Sequence, residues 1–489
     1  MESGARWIER WRAAAPGAPA EVWVAVARVG ADPAAAYDRA VAELRARGLD
    51  PSALGDRPPR RPAPERRRGR FPWAAAALVL AATAIFALAP WWLTPAKPGS
   101  DALYFVLVDR FADGTADAGG PVDRADPQGW HGGDLAGVSA HVDDLWRLGV
   151  GAVWLSPVSR ARHGKHGEWG AYHGYWVEAL DEVDPRFGTL DELADLSRAL
   201  HRRGMKLYLD VVYNHVGPDA ELVRRHPEWF HHRGDVRDWD DPEQVVTHDV
   251  HGLPDLAQEN EEVYRYLRDA SVRLVDAVDP DGFRVDAVRH LPEGFLARLG
   301  DELRAHRPGF ELVGEVFDGD PAHLQARVTA DRLDAVFDFP LYFAMRDAVC
   351  AGAPAGRLAA ALLTEYGARP IPLADNHDLP RVRSACPNDA AALSMLALTV
   401  TARGTPSITY GTEAGLRGAT EPDNRGDMVF GAEDPFGGAL SELLAVRGGW
   451  PELADGATRI RWLDDRGLVA LRVGETHTTA VRWGSTGWG

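Results

Sequence analysis

The chain has 489 residues, of which 45% are hydrophobic and 26% are charged, a composition that is typical of globular proteins and excludes a largely disordered chain. The formal net charge is −18, but residues 1–70 hold 14 Lys and Arg against 9 Asp and Glu, whereas the remaining residues hold 40 against 63. The acidic main body argues against nucleic acid as a partner and is compatible with cations or neutral ligands.

Residues 1–58 are the first predicted unit, and they carry no recognisable chemistry. The pattern "DPAAAYDRAVAELRARG" over residues 32–48 predicts a helix that is closed by Gly48. Residues 59–70 follow as a linker that is rich in proline and arginine. We therefore expect a small cytoplasmic unit of unknown role, separated from the main body of the protein.

Residues 71–94 predict a single transmembrane helix. The stretch "FPWAAAALVLAATAIFALAPWWL" has no charge and is long enough to cross a hydrocarbon core of about 30 Å. Arginines precede it and Trp91 and Trp92 end it, which places the N-terminus in the cytoplasm and the main body outside. A cleaved signal peptide is disfavoured because a long segment precedes the apolar stretch, and a buried core helix is the remaining alternative.

Eight short apolar runs alternate with helical patterns after residue 100, as in "TLDELADLSRALHRRG". Eight alternations favour a closed (β/α)8 TIM barrel over residues 101–447, because closure leaves no edge strands. An open doubly wound sheet is the alternative, but no glycine-rich phosphate loop follows the first run. The predicted strands are residues 102–108, 151–156, 205–212, 282–288, 310–316, 334–339, 369–375 and 405–411.

Two segments depart from a simple barrel. Residues 216–259 are too many for an ordinary connection after the third strand, and they predict an inserted subdomain on the face where barrel sites are built. Residues 448–489 contain two strand-like runs at best, which predicts a short β-rich C-terminal segment. Cys350 and Cys386 are the only cysteines, so a disulfide framework and a cysteine zinc site are both excluded, and one pairing stays open.

Charged residues collect at the ends of the predicted strands, where barrel enzymes place their active sites. A period of two puts Arg284 and Asp286 on one face of the fourth strand, with Phe283, Val285 and Ala287 on the other. Crowded carboxylates shift one another's pKa values, so one can act as a nucleophile and another as a proton donor, the pair that cleaves glycosidic bonds. The carboxylates predicted to converge are Asp210, Asp286, Glu315 and Asp378.

These motifs resemble the sequence regions of the α-amylase superfamily of glycoside hydrolases. The resemblance rests on "DVVYNH" (210–215), "LPDL" (253–256), "GFRVDAVRH" (282–290), "GEVF" (314–317) and "NHD" (376–378), with support from "DRF" (109–111), "HGGDLAG" (131–137), "AYHGYW" (171–176) and "YGTE" (410–413).

The resemblance implies a role for each matched residue. Asp286 would be the nucleophile, Glu315 the general acid and base, and Asp378 the carboxylate that supports the transition state, with retention of configuration. Arg284 would orient Asp286. The residues expected to bind the sugar or to complete the polar network are His173, Tyr175, Asp210, His215, Arg284, Arg289, His290 and His377.

A structural Ca²⁺ is also implied by the resemblance. Asn214, Asp255 and the backbone carbonyl of His290 match its ligands, and Ca²⁺ prefers oxygen ligands. A second site would use Asp113, Gly132 and Asp134, but the loop "DGTADAGG" is poor in asparagine, and solvated surface acids are the favoured interpretation there.

The resemblance favours hydrolysis of α-1,4 bonds in starch, maltodextrins or other maltooligosaccharides, because "LPDL" and Ala287 are similar to the α-1,4-acting type. A transglycosylase or a sugar isomerase would use the same covalent intermediate. A non-catalytic scaffold subunit of an amino-acid transporter is the alternative from another class, but such scaffolds need not keep the catalytic residues that this chain retains.

Overall fold

The computed structural model describes residues 33–54, 56–57, 99–115, 120–465 and 467–484. They belong to two compact units, one that ends at Trp91 and one that begins at Trp92. The first contains a helix, Pro33–Ala46, which confirms the helix predicted there, and a 3-10 turn, Pro51–Leu54.

The predicted linker, 59–70, and the predicted membrane segment, 71–94, lie outside the described residues. Among the residues that the structure describes, no helix has the length and apolar character needed to cross a bilayer.

Eight parallel strands of the second unit form one sheet. They are β1 Leu103–Val106, β2 Ala152–Leu155, β7 Lys206–Val211, β8 Gly282–Val285, β9 Glu311–Gly314, β10 Ala335–Phe337, β11 Arg369–Ile371 and β12 Ser407–Thr409. Their order in the sheet is β11, β10, β9, β8, β7, β2, β1, β12, and a parallel bridge between Leu373, just past β11, and Ser407 in β12 joins the two edges, so the sheet closes into a barrel. Each predicted run contains one strand, which confirms the (β/α)8 barrel.

Large rings fill the interior of the barrel. All four residues of β1, "LYFV", are buried, as expected of parallel strands that are covered on both faces. The rings of Phe105 and Trp154 have centroids 4.1 Å apart, and Trp154 lies 5.1 Å from Phe337. The interior of the barrel is therefore a packed core.

Helices surround the strands, and several begin at side-chain caps. Thr189 and Glu192 form a capping box at the start of Leu190–His201, the helix predicted from the sequence. The helices of the second unit are Val108–Phe111, Leu135–Ala140, Val142–Leu148, Leu190–His201, Glu221–Arg225, Pro242–Thr247, Glu261–Val278, Phe295–His306, Pro321–Asp331, Phe339–Met345, Gly356–Leu363, Val382–Ala385, Asp389–Thr401, Pro435–Gly449 and Glu452–Asp455, with shorter turns at Pro227–Trp229, Val288–His290, Arg346–Cys350 and Asp423–Arg425.

Two β-ribbons precede the helix Leu190–His201, and the sequence did not predict them. β3 (Ser159–Ala161) pairs with β6 (Val177–Val183), and β4 (Lys165–His166) pairs with β5 (Trp169–Gly170). The pairs are short and irregular, so they leave little periodicity to detect. The segment predicted as an insertion, 216–259, holds only short helical turns and isolated bridges.

Three antiparallel strands follow the barrel, where the sequence predicted two at best. They are β13 Ala457–Asp464, β14 Gly467–Val473 and β15 Thr478–Gly484. The missed strand is β13, whose residues are mostly exposed, so its apolar residues do not alternate between a buried and an open face.

The two cysteines form a disulfide, the pairing that the sequence left open. Cys350 and Cys386 have Cα atoms 4.4 Å apart. The bond joins the turn Arg346–Cys350 to the segment that follows Val382–Ala385, eight residues after Asp378.

Candidate active site

The predicted carboxylates lie at the C-terminal ends of neighbouring strands. Asp210 belongs to β7, and Glu315 follows β9 directly. Asp286 lies one residue past β8, so the prediction of a strand as far as residue 288 was wrong. The chain turns at Ala287, which has a left-handed backbone (φ 50°); its amide is 3.3 Å from Glu315 Oε2. The turn therefore points a backbone donor at Glu315.

Arg284 is the centre of the cluster and is fully buried. Its Nη1 donates to Asp210 Oδ1 at 2.8 Å and to Asp286 Oδ1 at 2.7 Å. Its Nη2 lies 2.7 Å from Glu315 Oε1. One guanidinium thus contacts three of the four predicted carboxylates, which offsets the cost of burying each charge.

Asp210 is held by the barrel as well as by Arg284. Its Oδ2 accepts hydrogen bonds from Trp154 Nε1 at 3.0 Å and from the Tyr175 hydroxyl at 2.9 Å. Burial raises the pKa of Asp210 to about 7, although Arg284 opposes the rise. Asp210 is closed off by these partners, so its role is to position Arg284 and Tyr175.

Glu315 has the pKa that a proton donor needs. Burial raises the pKa of Glu315 to about 8; Arg284 opposes the rise, and the negative charges of Asp286 and Asp378 add to it. The carboxyl group is therefore protonated near neutral pH and can donate its proton to a leaving group.

Asp378 is ionised and open to the cleft, with 37% of its side chain exposed. Burial raises its pKa, but His377, Arg425 and Arg284 outweigh burial and keep the pKa below the ordinary value. Arg425 Nη2 donates to Asp378 Oδ1 at 3.0 Å, and its Nε donates to the His377 carbonyl at 2.9 Å. Arg425, in the stretch "PDNRGDM" (422–428), was not among the predicted site residues.

Three predicted histidines line the same mouth and are kept neutral, because burial lowers their pKa values. Among the residues that the structure describes, neither ring nitrogen of His215 has a hydrogen-bond partner, and Nδ1 of His377 has none either. His173 Nδ1 accepts the Tyr175 amide at 3.0 Å, so its proton lies on Nε2. The unpartnered nitrogens are available to hydrogen-bond a ligand that enters the mouth of the barrel.

Tyr175 stacks on His377, with centroids 5.1 Å apart and the rings 8° from parallel. Arg289 and His290 lie farther along the rim, where they contact the inserted segment. Arg289 Nη2 donates to the Trp239 carbonyl at 2.8 Å, and His290 Nδ1 lies 2.8 Å from the Val245 carbonyl. Both side chains thus attach this segment to the barrel.

The three oxygens predicted to hold Ca²⁺ converge. The side-chain amide oxygen of Asn214 lies 3.1 Å from Asp255 Oδ1 and 2.9 Å from the His290 carbonyl. Either the amide is turned so that its nitrogen donates to both, or a cation lies among the three oxygens. An amide, a carboxylate and a carbonyl are the donor set that Ca²⁺ accepts, so the residues fit the ion.

The second predicted calcium site has another explanation. Asp134 accepts backbone N–H bonds from Gly114, Thr115 and Gly137 at 2.6–2.9 Å, the last at the start of the helix Leu135–Ala140. Asp134 is buried, so the interpretation as a solvated surface acid was wrong for this residue. Asp113 pairs with Arg124, and Gly132 donates to Asp109. Among the described residues, no group of three or more His, Cys, Asp or Glu is placed to hold a metal ion.

Comparison with known proteins identifies the family to which the barrel is similar. Residues 105–243 and 221–434 match the family described as "Alpha amylase, catalytic domain". A "Beta/alpha-amylase" of Paenibacillus polymyxa is 31% identical over 74% of this chain, and the match spans 32% of that protein. A cyclomaltodextrin glucanotransferase of Bacillus licheniformis is 30% identical over 79% of this chain, and the match spans 59% of that protein. The chain therefore aligns with less than two thirds of these relatives.

Solved structures agree with the match. An α-amylase of Geobacillus thermoleovorans in complex with acarbose is 33% identical with a TM-score of 0.72, covering 79% of this chain and 87% of that one. An Anoxybacillus α-amylase is 32% identical with a TM-score of 0.74 and the same coverage. The chain belongs to the α-amylase family of glycoside hydrolases.

Proposed function

We propose that the barrel hydrolyses α-1,4-glucosidic bonds in starch, maltodextrins or related α-glucans, with retention of configuration through a covalent glycosyl-enzyme. The observation that supports this most is the contact of Arg284 with Asp210, Asp286 and Glu315. One guanidinium reaches both reacting carboxylates, which favours the close spacing of retaining enzymes, about 5–5.5 Å, over the wider spacing of inverting ones.

In the first step, an Asp286 oxygen attacks the anomeric carbon while the protonated Glu315 gives its proton to the glycosidic oxygen. The carbon–oxygen bond to the leaving sugar breaks, and an ester to Asp286 forms. In the second step, Glu315 takes a proton from water, the water oxygen attacks the same carbon, and the bond to Asp286 breaks. Glu315 ends protonated and Asp286 ionised, as at the start.

Asp378 and the histidines serve the sugar that reacts. Arg425 keeps Asp378 ionised, so it can accept hydroxyl hydrogen bonds and stabilise the positive charge of the transition state. His173, His215 and His377 are neutral, and among the described residues no hydrogen-bond partner is placed at either ring nitrogen of His215 or at Nδ1 of His377. A neutral imidazole can donate to one hydroxyl without adding a charge to the site.

The test of this function is the stereochemistry of maltooligosaccharide cleavage by the purified full chain. We expect the α-anomer as the first product, and we expect Asp286→Asn to abolish turnover. Asp144→Asn is the matched control, because Asp144 is exposed on a barrel helix. Release of the β-anomer, or full activity in Asp286→Asn, would contradict the proposal.

Transfer to another sugar is the second candidate, because cyclomaltodextrin glucanotransferases are among the relatives. Phe317, two residues past Glu315, is 43% exposed, and its ring can offer an apolar face to an incoming sugar. The products separate the two functions: lengthened or cyclic oligosaccharides indicate transfer, whereas only shortened chains indicate hydrolysis.

We further propose that Asn214, Asp255 and the His290 carbonyl hold a Ca²⁺ that stabilises the attachment of the inserted segment. We expect chelation to lower the unfolding midpoint of the parent and to leave that of Asp255→Asn unchanged. Equal midpoints for the parent with and without chelator would show instead that the Asn214 amide is turned and no ion is bound.

The apolar stretch 71–94 supports a last proposal, that the protein is a single-pass membrane protein whose barrel lies outside the cytoplasm. We expect protease added to intact cells to remove the barrel and to spare residues 1–70. If protease removed residues 1–70 and left the barrel intact, the orientation would be opposite to the one proposed. If cell fractionation recovered the chain apart from the membranes, the proposed anchor would be excluded.

A further inference from the structure

The loop of residues 421–428 brings another carboxylate close to the active site, and the proposed mechanism gives it no role. Glu421 lies four residues before Arg425, and its Oε1 is 2.8 Å from Arg425 Nη1. Arg425 also donates through Nη2 to Asp378 Oδ1 at 3.0 Å. The guanidinium of Arg425 therefore bridges Asp378, which is open to the cleft, and the carboxylate of Glu421.

Each nitrogen of the Arg425 guanidinium has a partner of its own. Nε donates to the His377 carbonyl at 2.9 Å, Nη2 contacts Asp378 and Nη1 contacts Glu421. The Arg425 side chain is 7% exposed, so a nitrogen that lost its partner would have little water to replace it. Because a guanidinium is planar and rigid, a change at Nη1 also moves the Nη2 that holds Asp378.

Glu421 is itself fixed by a second donor. The hydroxyl of Tyr172 donates to the same Oε1 at 3.1 Å. Tyr172 is buried, and the guanidinium of Arg110 lies over its ring, with Cζ 3.8 Å from the ring centroid. Arg110 donates in turn to three backbone carbonyls, one of which belongs to Arg425. The Glu421 carboxylate is therefore held on one side by a buried tyrosine and on the other by Arg425.

The contact also joins two loops of the site. Tyr172 precedes His173 in the chain, and their rings meet edge to face with centroids 5.4 Å apart. Glu421 thus connects the loop that carries His173 to the loop that carries Asp378, through Tyr172 and Arg425 respectively.

We propose that Glu421 is a positioning residue for the reaction: it fixes the guanidinium of Arg425 and, through it, the carboxylate of Asp378. The inference rests on the proposed glycosidase function. Direct binding of sugar by Glu421 is the competing role, because 26% of its side chain is exposed. The two roles differ in their kinetics, since a positioning residue affects kcat and a ground-state contact with substrate affects KM.

The first test is the kinetics of maltoheptaose cleavage by the full chain. We expect Glu421→Ala to lower kcat by about 10-fold and to leave KM within about 2-fold of the parent, because small displacements of a reacting group have effects of this size. Glu433→Ala, a change at an exposed glutamate ahead of the helix Pro435–Gly449, should keep the parent values. A raised KM with unchanged kcat would overturn the proposal in favour of direct sugar binding.

The second test asks whether Glu421 acts through Arg425. The double variant Glu421→Ala/Arg425→Ala should have the same kcat as Arg425→Ala alone, since residues that act as a unit are not additive. A further loss of about 10-fold in the double variant would show that Glu421 acts independently of Arg425. Tyr172→Phe, which removes only the hydroxyl that holds Glu421, should lower kcat by a smaller factor than Glu421→Ala, and it serves if Glu421→Ala does not fold. An unchanged kcat in Tyr172→Phe would contradict the proposed support of Glu421.

The third test needs no turnover, so it decides the role of Glu421 even if the parent cleaves no α-glucan, a result that would contradict the proposed function alone. It is the crystal structure of Glu421→Ala, or of Tyr172→Phe, beside that of Glu433→Ala. We expect the hydrogen bond between Arg425 Nη2 and Asp378 Oδ1 to persist in Glu433→Ala and to be lost or lengthened in the other variant. An unchanged bond in both structures would overturn the proposal.

Discussion

Arg284 contacts two carboxylates that need opposite protonation states. Asp286 must be ionised to attack, and Glu315 must be protonated to donate. The difference follows from the surroundings: Glu315 is buried near the negative charges of Asp286 and Asp378, and these raise its pKa to about 8. Contact with the same guanidinium therefore does not force Asp286 and Glu315 into the same protonation state.

This pKa sets the pH dependence of cleavage. Glu315 carries its proton below a pH of about 8 and loses it above that value, so kcat/KM for a maltooligosaccharide should fall as the pH rises through 8. The measurement is a pH profile of kcat/KM. Asp144→Asn is the control, and its profile should match that of the parent. A profile that falls near the ordinary glutamate pKa, about 4.3, would contradict the assignment of Glu315 as the acid.

Arg425 is the residue that we expect to position Asp378. Arg425→Ala should raise the pKa of Asp378 and release its side chain, which lowers kcat by about 100-fold, because small displacements of a reacting group have effects of this size. Arg425→Lys should restore part of the loss. Arg417→Ala is the control, because Arg417 is exposed on a neighbouring loop, and an equal loss in both alanine variants would contradict the role.

Sequence reasoning identified the carboxylates because strand ends mark the mouth of a barrel. The same reasoning did not identify Arg425, because this residue lies in a loop that is far from Asp378 in sequence. Only folding brings the two residues together. The extended strand predicted through Ala287 was also wrong, because a left-handed residue cannot be read from an alternation of apolar residues.

At the level of elements, Asp134 of the motif "HGGDLAG" (131–137) stabilises the connection between a strand and a helix. Its two carboxylate oxygens accept three backbone N–H groups, and they fix the loop after β1 to the next helix. A carboxylate satisfied in this way has little capacity left for a metal ion.

Asp134→Ala should therefore lower the free energy of unfolding by about 2 kcal/mol, the upper end of the range for a lost helix cap. Urea unfolding measures this, and Asp144→Ala should change it by less than about 0.5 kcal/mol. If chelation of metal ions removed the difference between Asp134→Ala and the parent, Asp134 would be a metal ligand after all.

Element prediction succeeded where the apolar pattern was continuous. Apart from β11, the barrel strands are buried over nearly all of their residues, so each of them produces a clear apolar run in the sequence. No continuous apolar run marks the ribbons β3–β6 and β4–β5 or the strand β13, because their strand pairs are short or their side chains are exposed.

For the whole molecule, the disulfide between Cys350 and Cys386 adds a covalent link across 36 residues. By the loop-closure entropy removed from the unfolded chain, a loop of this length contributes about 4 kcal/mol of stability. Reduction should lower the urea midpoint of the parent by the corresponding amount and leave the double variant Cys350→Ser/Cys386→Ser unchanged. Identical midpoints for the oxidised and reduced parent would show that the bond does not form in solution.

The closure of the barrel also has a consequence for biosynthesis. Leu103 of β1 pairs with Ser407 of β12, about 300 residues later in the chain. At about 5–20 residues per second, a ribosome needs about 15–60 s to supply that partner. During this interval one side of β1 has no strand to pair with, so the newly made chain depends on protection from aggregation until its last barrel strand emerges.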